Sequence, residues 1–210
     1  MAKDSLTPTQ SKEMLLLVAD RIIAAEPILT DADRALGDGD HGLGMQRGME
    51  AAKEALGADF AATSDPFVAM GKAMMSSMGG ASGVVFGTLF RAGGKVLKEA
   101  GSFDAAGLAA LLQAAAVSIQ ERGGAKAGDK TMLDALIPAA EKAATVSGEP
   151  LHAALAAVAE AGEAGKEASK DMIATMGRAK TLGERSVGHP DAGAVSVSII
   201  LSTMSEYAAA

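Results

Sequence analysis

The sequence contains no cysteine and no tryptophan, and it has only one tyrosine and five phenylalanines in 210 residues. Without cysteine, the chain has no disulfide, no thiolate nucleophile and no cysteine-ligated zinc. Because aromatic side chains are scarce, alanine, leucine and the twelve methionines must fill the core. These residues lose little rotamer freedom in a helix, so the composition favours an all-α protein.

A basic surface and a long apolar segment are also missing. The net charge is −7 and the pI is near 5.0, which argues against a nucleic-acid partner. The longest apolar runs, residues 84–90 and 195–201, fall well short of the ~20 residues that span a bilayer. The first ten residues lack the apolar core of a signal peptide. We therefore expect a cytoplasmic protein with neither a nucleic-acid nor a membrane partner.

Apolar residues recur at helical spacing along most of the chain, with short polar or glycine-rich connections between the periodic segments. The pattern predicts about eight helices, with Pro138 as a kink in one of them. One is predicted for residues 84–100, and another runs from Glu149-Pro150 to about Met176. Glu26-Pro27 interrupts the first helix, and a short turn follows it. Residues 195–199 alternate like a strand, but we assign them to the last helix because nothing else in the chain would pair with them. With no repeat and no linker, residues 1–210 are predicted to form a single domain, a bundle of antiparallel helices.

Residues 31–44, DADRALGDGDHGLG, concentrate four aspartates and His41 around a single cation, Arg34. Crowded carboxylates repel one another unless a positive charge lies among them. A hard divalent cation is the natural candidate. The alternative from the residues alone is a solvated acidic loop in which Asp40 caps the next helix.

Two familiar motifs are excluded in this stretch. Residues 37–42 match G-x-G-x-x-G, but DADRAL precedes them where a dinucleotide fingerprint needs an apolar strand. An EF-hand also fails, because Gly42 and Met49 stand where ligands would be required.

Three other loops have a distinctive composition. Residues 76–83, SSMGGASG, fit either a helix–helix turn or a backbone cradle for phosphate. Residues 128–131, GDKT, resemble the end of a P-loop without its upstream glycine and strand, so helix capping is a sufficient explanation. The loop 177–190 carries Arg178 and Arg185, which are either solvated charges or anion ligands. If the helices alternate in direction, these loops and the acidic stretch could share one end of the bundle.

Taken together, four stretches resemble one family. DRALGDGDHGLGMQRG, SSMGGASGVVFGT, GDKTMLDALIPA and GRAKTLGERSVGHPDAGA resemble, in this order, segments of the nucleotide-binding L subunit of bacterial dihydroxyacetone kinase. The same domain forms the C-terminal half of fused, ATP-dependent dihydroxyacetone kinases. The resemblance implies a barrel of eight antiparallel helices with the nucleotide at one end.

The resemblance also implies a set of site residues. Two Mg²⁺ ions would be held by Asp33, Asp38 and Asp40, which match the family's D-x4-D-x-D, whereas Asp31 lies outside that pattern. The residues expected to contact ADP or ATP are His41, Gly42, Leu43, Gly44, Ala81, Ser82, Gly123, Met132, Arg178, Asp191, Ala192 and Gly193. No catalytic residue separate from the metal site is expected. Gly44 and Ala192 depart from the family pattern, where asparagine and proline are expected.

The implied function is that of one subunit of a kinase, which acts only together with a partner subunit. A separate K subunit would hold dihydroxyacetone, and a phosphotransferase-system M subunit would rephosphorylate the bound ADP. One alternative is an ATP-dependent two-component ketose kinase with exchangeable ATP. The others are a nucleotide-sensing protein that binds a transcriptional regulator, and a helical bundle with structural calcium.

Overall fold

Helices make up the regular structure of the chain in a computed structural model, which describes residues 1–98 and 100–210. Within these ranges there is no β-strand beyond one isolated bridge, so the all-α prediction is confirmed. The helices are α1 (Pro8–Ala24), α2 (Glu26–Arg34), α3 (His41–Ala55), α4 (Ser64–Ser77), α5 (Gly80–Lys95), α6 (Ala105–Gly123), α7 (Leu133–Thr145), α8 (Leu151–Ala168) and α9 (Ala192–Ala209). Two 3₁₀ segments, Ser169–Asp171 and Arg178–Ser186, lie between α8 and α9.

Eight of these helices form a closed ring. Each helix from α3 to α9 packs against the next along the chain, and α1 closes the ring by packing against both α9 and α3. Most connections are short, so successive helices run antiparallel, and the longer connection of residues 169–191 also returns α9 against α8. The short α2 lies outside this order, against α3 and α9 at one end. The arrangement is the predicted barrel of eight antiparallel helices, with α2 as an addition.

Leucine, alanine and methionine side chains fill most of the barrel, with a few phenylalanines among them, and glycines let its walls approach closely. Phe67, Phe86 and Phe90 are almost completely buried. A Cβ added at Gly71 would lie 2.6 Å from the carbonyl oxygen of Gly87, so α4 and α5 are in direct backbone contact. The small residues of these two helices therefore set how tightly the ring closes.

The N-terminal segment covers one end of the barrel, which we call the closed end. It comprises the connections α3–α4, α5–α6 and α7–α8 and both termini. Leu6 and Phe103 exchange backbone hydrogen bonds of 2.7 and 2.8 Å, and both side chains are fully buried. Lys3 N–H donates to Ala208 O, and His152 N–H donates to Lys3 O. The extended segment thus ties three parts of the closed end together.

Three helix boundaries differ from the predictions. Glu26-Pro27 was expected to lead into a turn but begins α2, because proline in the first helical turn sacrifices no hydrogen bond. The helix predicted to reach Met176 ends at Ala168. The helix predicted for residues 84–100 spans Gly80–Lys95, and Glu99 lies outside the described residues.

The strand-like alternation of residues 195–199 does lie in a helix, α9. Across the two described ranges, every helix is too short or too polar to cross a membrane.

Candidate functional site

The four distinctive loops lie together at the other end of the barrel, which we call the mouth. It comprises the connections α1–α3, α4–α5, α6–α7 and α8–α9. Arg47 Nη2 on α3 donates to Met78 O before α5, at 3.3 Å. Lys130 Nζ donates to His189 O, at 2.6 Å, and so joins the α6–α7 and α8–α9 connections. The prediction of one common mouth is confirmed.

Asp33, Asp38 and Asp40 form a cluster of carboxylates at the mouth. One oxygen from each lies within 4.8 Å of the other two. Asp33 is on the last turn of α2, and Asp40 immediately precedes α3. Gly39, with φ of +76°, allows the turn between the two acidic positions of the loop. Asp31 is directed elsewhere and pairs with Arg34 at 3.2 Å.

A cation fits this cluster on chemical grounds. Three carboxylates at this spacing supply hard oxygen ligands and leave their negative charges mutually repulsive. Arg178 supplies some of the missing positive charge, because its guanidinium pairs with Asp38 and its Nη2 lies 3.7 Å from Asp40 Oδ2. The Arg178 side chain therefore belongs to the acidic site although it comes from the far end of the sequence.

His41 has its ring in the barrel and its backbone at the cluster. The ring is 6% exposed, Nε2 lies 2.8 Å from Ser196 Oγ, and the centroid is 5.7 Å from that of Phe86. Burial lowers the pKa of His41 despite the nearby Asp33 carboxylate, so the ring is neutral at pH 7. Its backbone N–H donates to Asp33 Oδ2 at 3.2 Å. The His41 backbone thus helps to position Asp33 at the cluster, while its ring packs inside the barrel.

Gly42 brings α2 onto the start of α3. A Cβ at this position would lie 2.2 Å from Thr30 Oγ1 and 2.4 Å from Glu26 O, so only glycine permits the contact. This contact fixes α2, and therefore Asp33, against the cluster. Leu43 is half-exposed, and a Cβ added at Gly44 would have Arg47 Nη2 as its nearest neighbour, at 4.0 Å. A side chain of moderate size therefore has room at position 44.

The glycine-rich loop before α5 presents backbone amides at the mouth. Gly79 and Gly80 have φ of +71° and +60°, and a Cβ added at either would point into open space. Ala81 and Ser82 lie in the first turn of α5, where backbone N–H groups have no acceptor within the helix. This geometry suits an anion placed over the start of α5.

The remaining predicted contacts meet around the start of α9. Asp191 caps this helix by accepting from Ala194 N–H at 2.8 Å. Burial raises the pKa of the Asp191 carboxyl to about 7. A Cβ added at Gly193 would lie 3.1 Å from Met132 Cβ, so these two predicted contacts are neighbours. Gly123 is the last residue of α6, in the same connection as Met132.

A comparison with protein families decides the classification. Residues 35–206 match the model of the DAK2 domain. The chain belongs to the DAK2 domain family.

Relatives within the DAK2 family are kinases by name. The chain is 37% identical over 186 residues to the PEP-dependent dihydroxyacetone kinase 1, ADP-binding subunit DhaL, of Listeria innocua, covering 88% of this chain and 89% of the relative. It is 38% identical over 194 residues to the D-erythrulose kinase of Mycolicibacterium smegmatis, covering 90% of this chain but 33% of that longer protein. The predicted class, a phosphotransferase of the dihydroxyacetone kinase type, is confirmed.

A solved structure agrees with the DAK2 fold. The crystal structure of the dihydroxyacetone kinase from C. freundii in complex with AMP-PNP and Mg²⁺ matches 93% of this chain and 33% of its own, with a TM-score of 0.72 and 25% identity. That protein is thus crystallised with a nucleotide analogue and magnesium.

Sequence reasoning missed two polar residues that shape the DAK2 mouth here. Ser196 accepts or donates the buried hydrogen bond to His41, and Lys130 binds carbonyl groups of the α8–α9 connection. Lys130 lies in the GDKT motif, whose unusual composition was a signal that could have identified it. Ser196 lies in an apolar helix, and nothing in the sequence pattern points to its hydrogen bond with His41.

Proposed function

We propose that this chain is the ADP- or ATP-binding L subunit of a dihydroxyacetone kinase. It binds the nucleotide with two Mg²⁺ ions at the mouth and transfers a phosphoryl group to dihydroxyacetone held on a separate K subunit. A phosphotransferase-system M subunit rephosphorylates the ADP while it stays bound. The chain is active only with its K partner.

The observation that carries this proposal is the pairing of opposite charges at the mouth. The antiparallel order places the N-termini of α3, α5, α7 and α9 at this end, and helix N-termini carry partial positive charge. The carboxylate cluster lies among them. Amides that attract phosphate beside carboxylates that attract a divalent cation suit a metal-bound polyphosphate better than either ligand alone.

Different residues would have different roles in phosphoryl transfer. Asp33, Asp38 and Asp40 would hold the metal, which when bound neutralises charge on the phosphates. The amides of Gly42, Leu43 and residues 80–82 would orient the phosphate oxygens, whereas those of His41 and Gly44 already donate to Asp33 Oδ2 and Asp40 O. Arg178, which here pairs with Asp38, would be free to bind a phosphate if a metal neutralised the carboxylates, because phosphate and carboxylate are both good guanidinium partners. Phosphoryl transfer mainly requires positioning and charge neutralisation, so we assign no general base to this chain.

A second candidate differs only in the donor and acceptor. The similarity to a D-erythrulose kinase favours a subunit that uses exchangeable ATP and acts on a related ketose. The ADP-binding subunit of Listeria innocua, which the chain matches over nearly its full length, favours the first candidate. A nucleotide sensor that binds a transcriptional regulator would share the nucleotide site but would give no turnover with a K subunit.

The decisive experiment tests the metal and the nucleotide together. We expect Asp38→Ala to lose Mg²⁺-dependent ADP binding, measured by calorimetry, while its helical circular dichroism is unchanged. Asp31→Ala is the matched control, because Asp31 lies two residues from Asp33 but pairs with Arg34 outside the cluster. Undiminished ADP binding by Asp38→Ala would contradict the metal assignment.

A second experiment separates the donors. Native mass spectrometry of the purified protein should show retained ADP if an M subunit recharges the nucleotide in place, and an exchangeable site if ATP is the donor. Reconstitution with a K subunit and dihydroxyacetone or erythrulose then identifies the acceptor. No turnover with any K subunit, despite nucleotide binding, would favour the sensor.

A further inference from the structure

Lys130 is a buried cation that has no role in the phosphate binding proposed above. Its side chain is 2% exposed, and its φ of +60° places it in the left-handed region. Burying an ammonium group is unfavourable unless it is bonded, and a residue with a Cβ is strained at positive φ. Two unfavourable features in one residue indicate that its position is constrained by something other than stability.

The ammonium group of Lys130 binds the two ends of the α8–α9 connection. Nζ donates to Ser169 O at 2.6 Å, just after α8, and to His189 O at 2.6 Å, just before α9. The two carbonyl groups are distant in sequence, so one side chain closes the connection into a loop with a fixed base. An apolar side chain could fill the same volume but could not bind two carbonyls.

The preceding residue, Asp129, holds the middle of the same connection. Its carbonyl accepts from Thr175 N–H at 3.2 Å, and its Oδ1 accepts from Thr175 Oγ1 at 2.6 Å. Asp134 in turn stiffens the short loop that carries both anchors, because it accepts from Gly128 N–H at 2.5 Å and from Thr131 N–H at 2.7 Å. The connection is therefore held at three places by adjacent residues of one rigid loop.

The anchored connection delivers groups to the mouth. Arg178 follows Thr175 by three positions, and its guanidinium pairs with Asp38. Asp191 follows His189 by two positions, caps α9, and donates its N–H to Ser169 Oγ at 3.0 Å. Both residues thus lie within a few positions of an anchor. Lys130 itself makes no contribution to the carboxylate cluster, whose oxygens come from α2 and the α2–α3 loop.

We propose that Lys130 is a positioning residue, which fixes the base of the α8–α9 connection so that Arg178 is held over the carboxylate cluster. The proposal rests on the proposed function, in which Arg178 serves the nucleotide phosphates. The GDKT motif thus acts through the loop it holds and does not itself bind phosphate.

The test compares Lys130→Met with Lys142→Met, which removes the same charge from an exposed position near the other end of α7. Hydrogen exchange of residues 169–191 is measured first, without nucleotide. We expect Lys130→Met to speed amide exchange in this segment by about ten-fold or more, since a local opening of that size corresponds to losing one or two hydrogen bonds. Exchange in Lys142→Met should equal that of the wild type.

The second readout is a double-mutant cycle with Arg178→Ala, scored by the dissociation constant of Mg²⁺·ADP. We expect Lys130→Met to weaken binding by about ten-fold and Arg178→Ala to add less than about three-fold in that background, because coupled residues are non-additive. A purely structural role of Lys130 would leave the effect of Arg178→Ala at its full size. Full additivity, or unchanged exchange in residues 169–191, would overturn the proposal.

Thr175→Val keeps the proposal testable if Lys130→Met does not fold. Thr175 is exposed, so the fold should survive, and loss of its hydrogen bond to Asp129 should raise exchange in the same segment by about three-fold. Unchanged exchange in this variant would count against the anchoring. If wild-type protein binds no nucleotide, the proposed function fails, whereas the exchange measurements still decide whether Lys130 holds the connection.

Discussion

The two ends of the barrel are built on opposite principles. At the closed end, Leu6 and Phe103 are fully buried and paired through backbone hydrogen bonds. At the mouth, Asp38 and Asp40 are exposed carboxylates close to a third one. Burial of apolar side chains at the closed end stabilises the fold, whereas the crowded like charges at the mouth destabilise it. Stability and ligand binding should therefore respond separately to changes at the two ends.

The glycines show the same contrast. Gly71 and Gly165 lie in helix walls where an added Cβ would lie 2.6 Å or less from a backbone atom of a neighbouring helix. Gly79, Gly80 and Gly188 lie at the mouth with positive φ, and an added Cβ there would point into open space. Glycine in the walls serves packing, and glycine at the mouth serves backbone conformation.

The largest expected effect comes from breaking the closed end. Phe103→Ala removes a fully buried ring whose centroid lies 5.2 Å from that of Phe67. We expect a loss of about 3–5 kcal/mol in the free energy of unfolding, because such a truncation leaves a cavity. Urea denaturation measures this loss, and Mg²⁺·ADP affinity of the folded protein should be unchanged.

Val96→Ala is the control for this truncation, because Val96 is 48% exposed and its loss should change stability by less than about 0.5 kcal/mol. A parallel fall in nucleotide affinity in Phe103→Ala would show that the two ends are coupled, contrary to the comparison.

Gly42→Ala should lower both stability and Mg²⁺·ADP affinity, because Gly42 is tightly packed against α2 at the mouth. The added methyl group would collide with Thr30 and Glu26 and separate α2 from α3. We expect a loss of about 3 kcal/mol, at the upper end for overpacking, together with weaker Mg²⁺·ADP binding as Asp33 moves away. Thermal unfolding and calorimetry measure the two effects.

Gly44→Ala is the matched stability control, two residues later in the same helix. Its added Cβ meets only Arg47 Nη2 at 4.0 Å among the neighbours described. Alanine is favoured over glycine within helices, so this variant should be as stable as the wild type or more stable by about 0.5–1 kcal/mol. Equal destabilisation by both substitutions would refute the packing role of Gly42.

The sequence predicted the parts of this comparison that depend on local pattern. Helical spacing gave the barrel helices, and the D-x4-D-x-D spacing, read through the family resemblance, named three aspartates that do lie together. The other residues expected to contact nucleotide lie at the mouth, but their contacts remain predictions. Sequence pattern alone does not reveal contacts between residues that are distant along the chain. His41 meets Ser196 across 155 positions, and Lys130 meets His189 across 59.

The helix α2 shows a second kind of limit. Glu26-Pro27 was expected to end the first helix and lead through a short turn to the acidic stretch, yet proline fits the first turn of a new helix. Whether a proline ends one helix or begins another depends on what the next turn packs against. Here Gly42 of α3 provides that surface, and no short-range pattern contains this information.

A pH dependence should arise at the mouth from Asp191. Burial raises its pKa from 3.8 to about 7, with Lys130 and the amides of Ala194 and Gly193 opposing the shift and Asp134 adding to it. The folded state therefore binds the proton more tightly than the unfolded state. The resulting stabilisation is complete below about pH 4 and is lost as the pH rises through about 7.

Asp191→Asn removes this titration and keeps a good helix cap. One unit of pKa shift corresponds to about 1.4 kcal/mol, and since the residue retains partial exposure we expect about 2 kcal/mol between pH 5 and pH 8. The difference in unfolding free energy between wild type and variant, followed across this range, measures it. A difference that does not vary with pH would show that the Asp191 carboxyl ionises as an ordinary surface group.

The smallest expected effect separates conformation from packing at the mouth. Gly80→Ala places a Cβ in open space, so no contact opposes it, but its φ of +60° costs a residue with a side chain about 1 kcal/mol. Gly148→Ala at the closed end is the matched control, since its Cβ would also point into open space and its φ is not in the left-handed region. We expect only Gly80→Ala to lose stability in urea denaturation.

If α5 instead relaxes to a negative φ at this position, the stability loss will be smaller and the first-turn amides will turn away from the mouth. Mg²⁺·ADP affinity would then fall by more than the lost stability accounts for. The two measurements together distinguish a strained backbone at Gly80 from a displaced one.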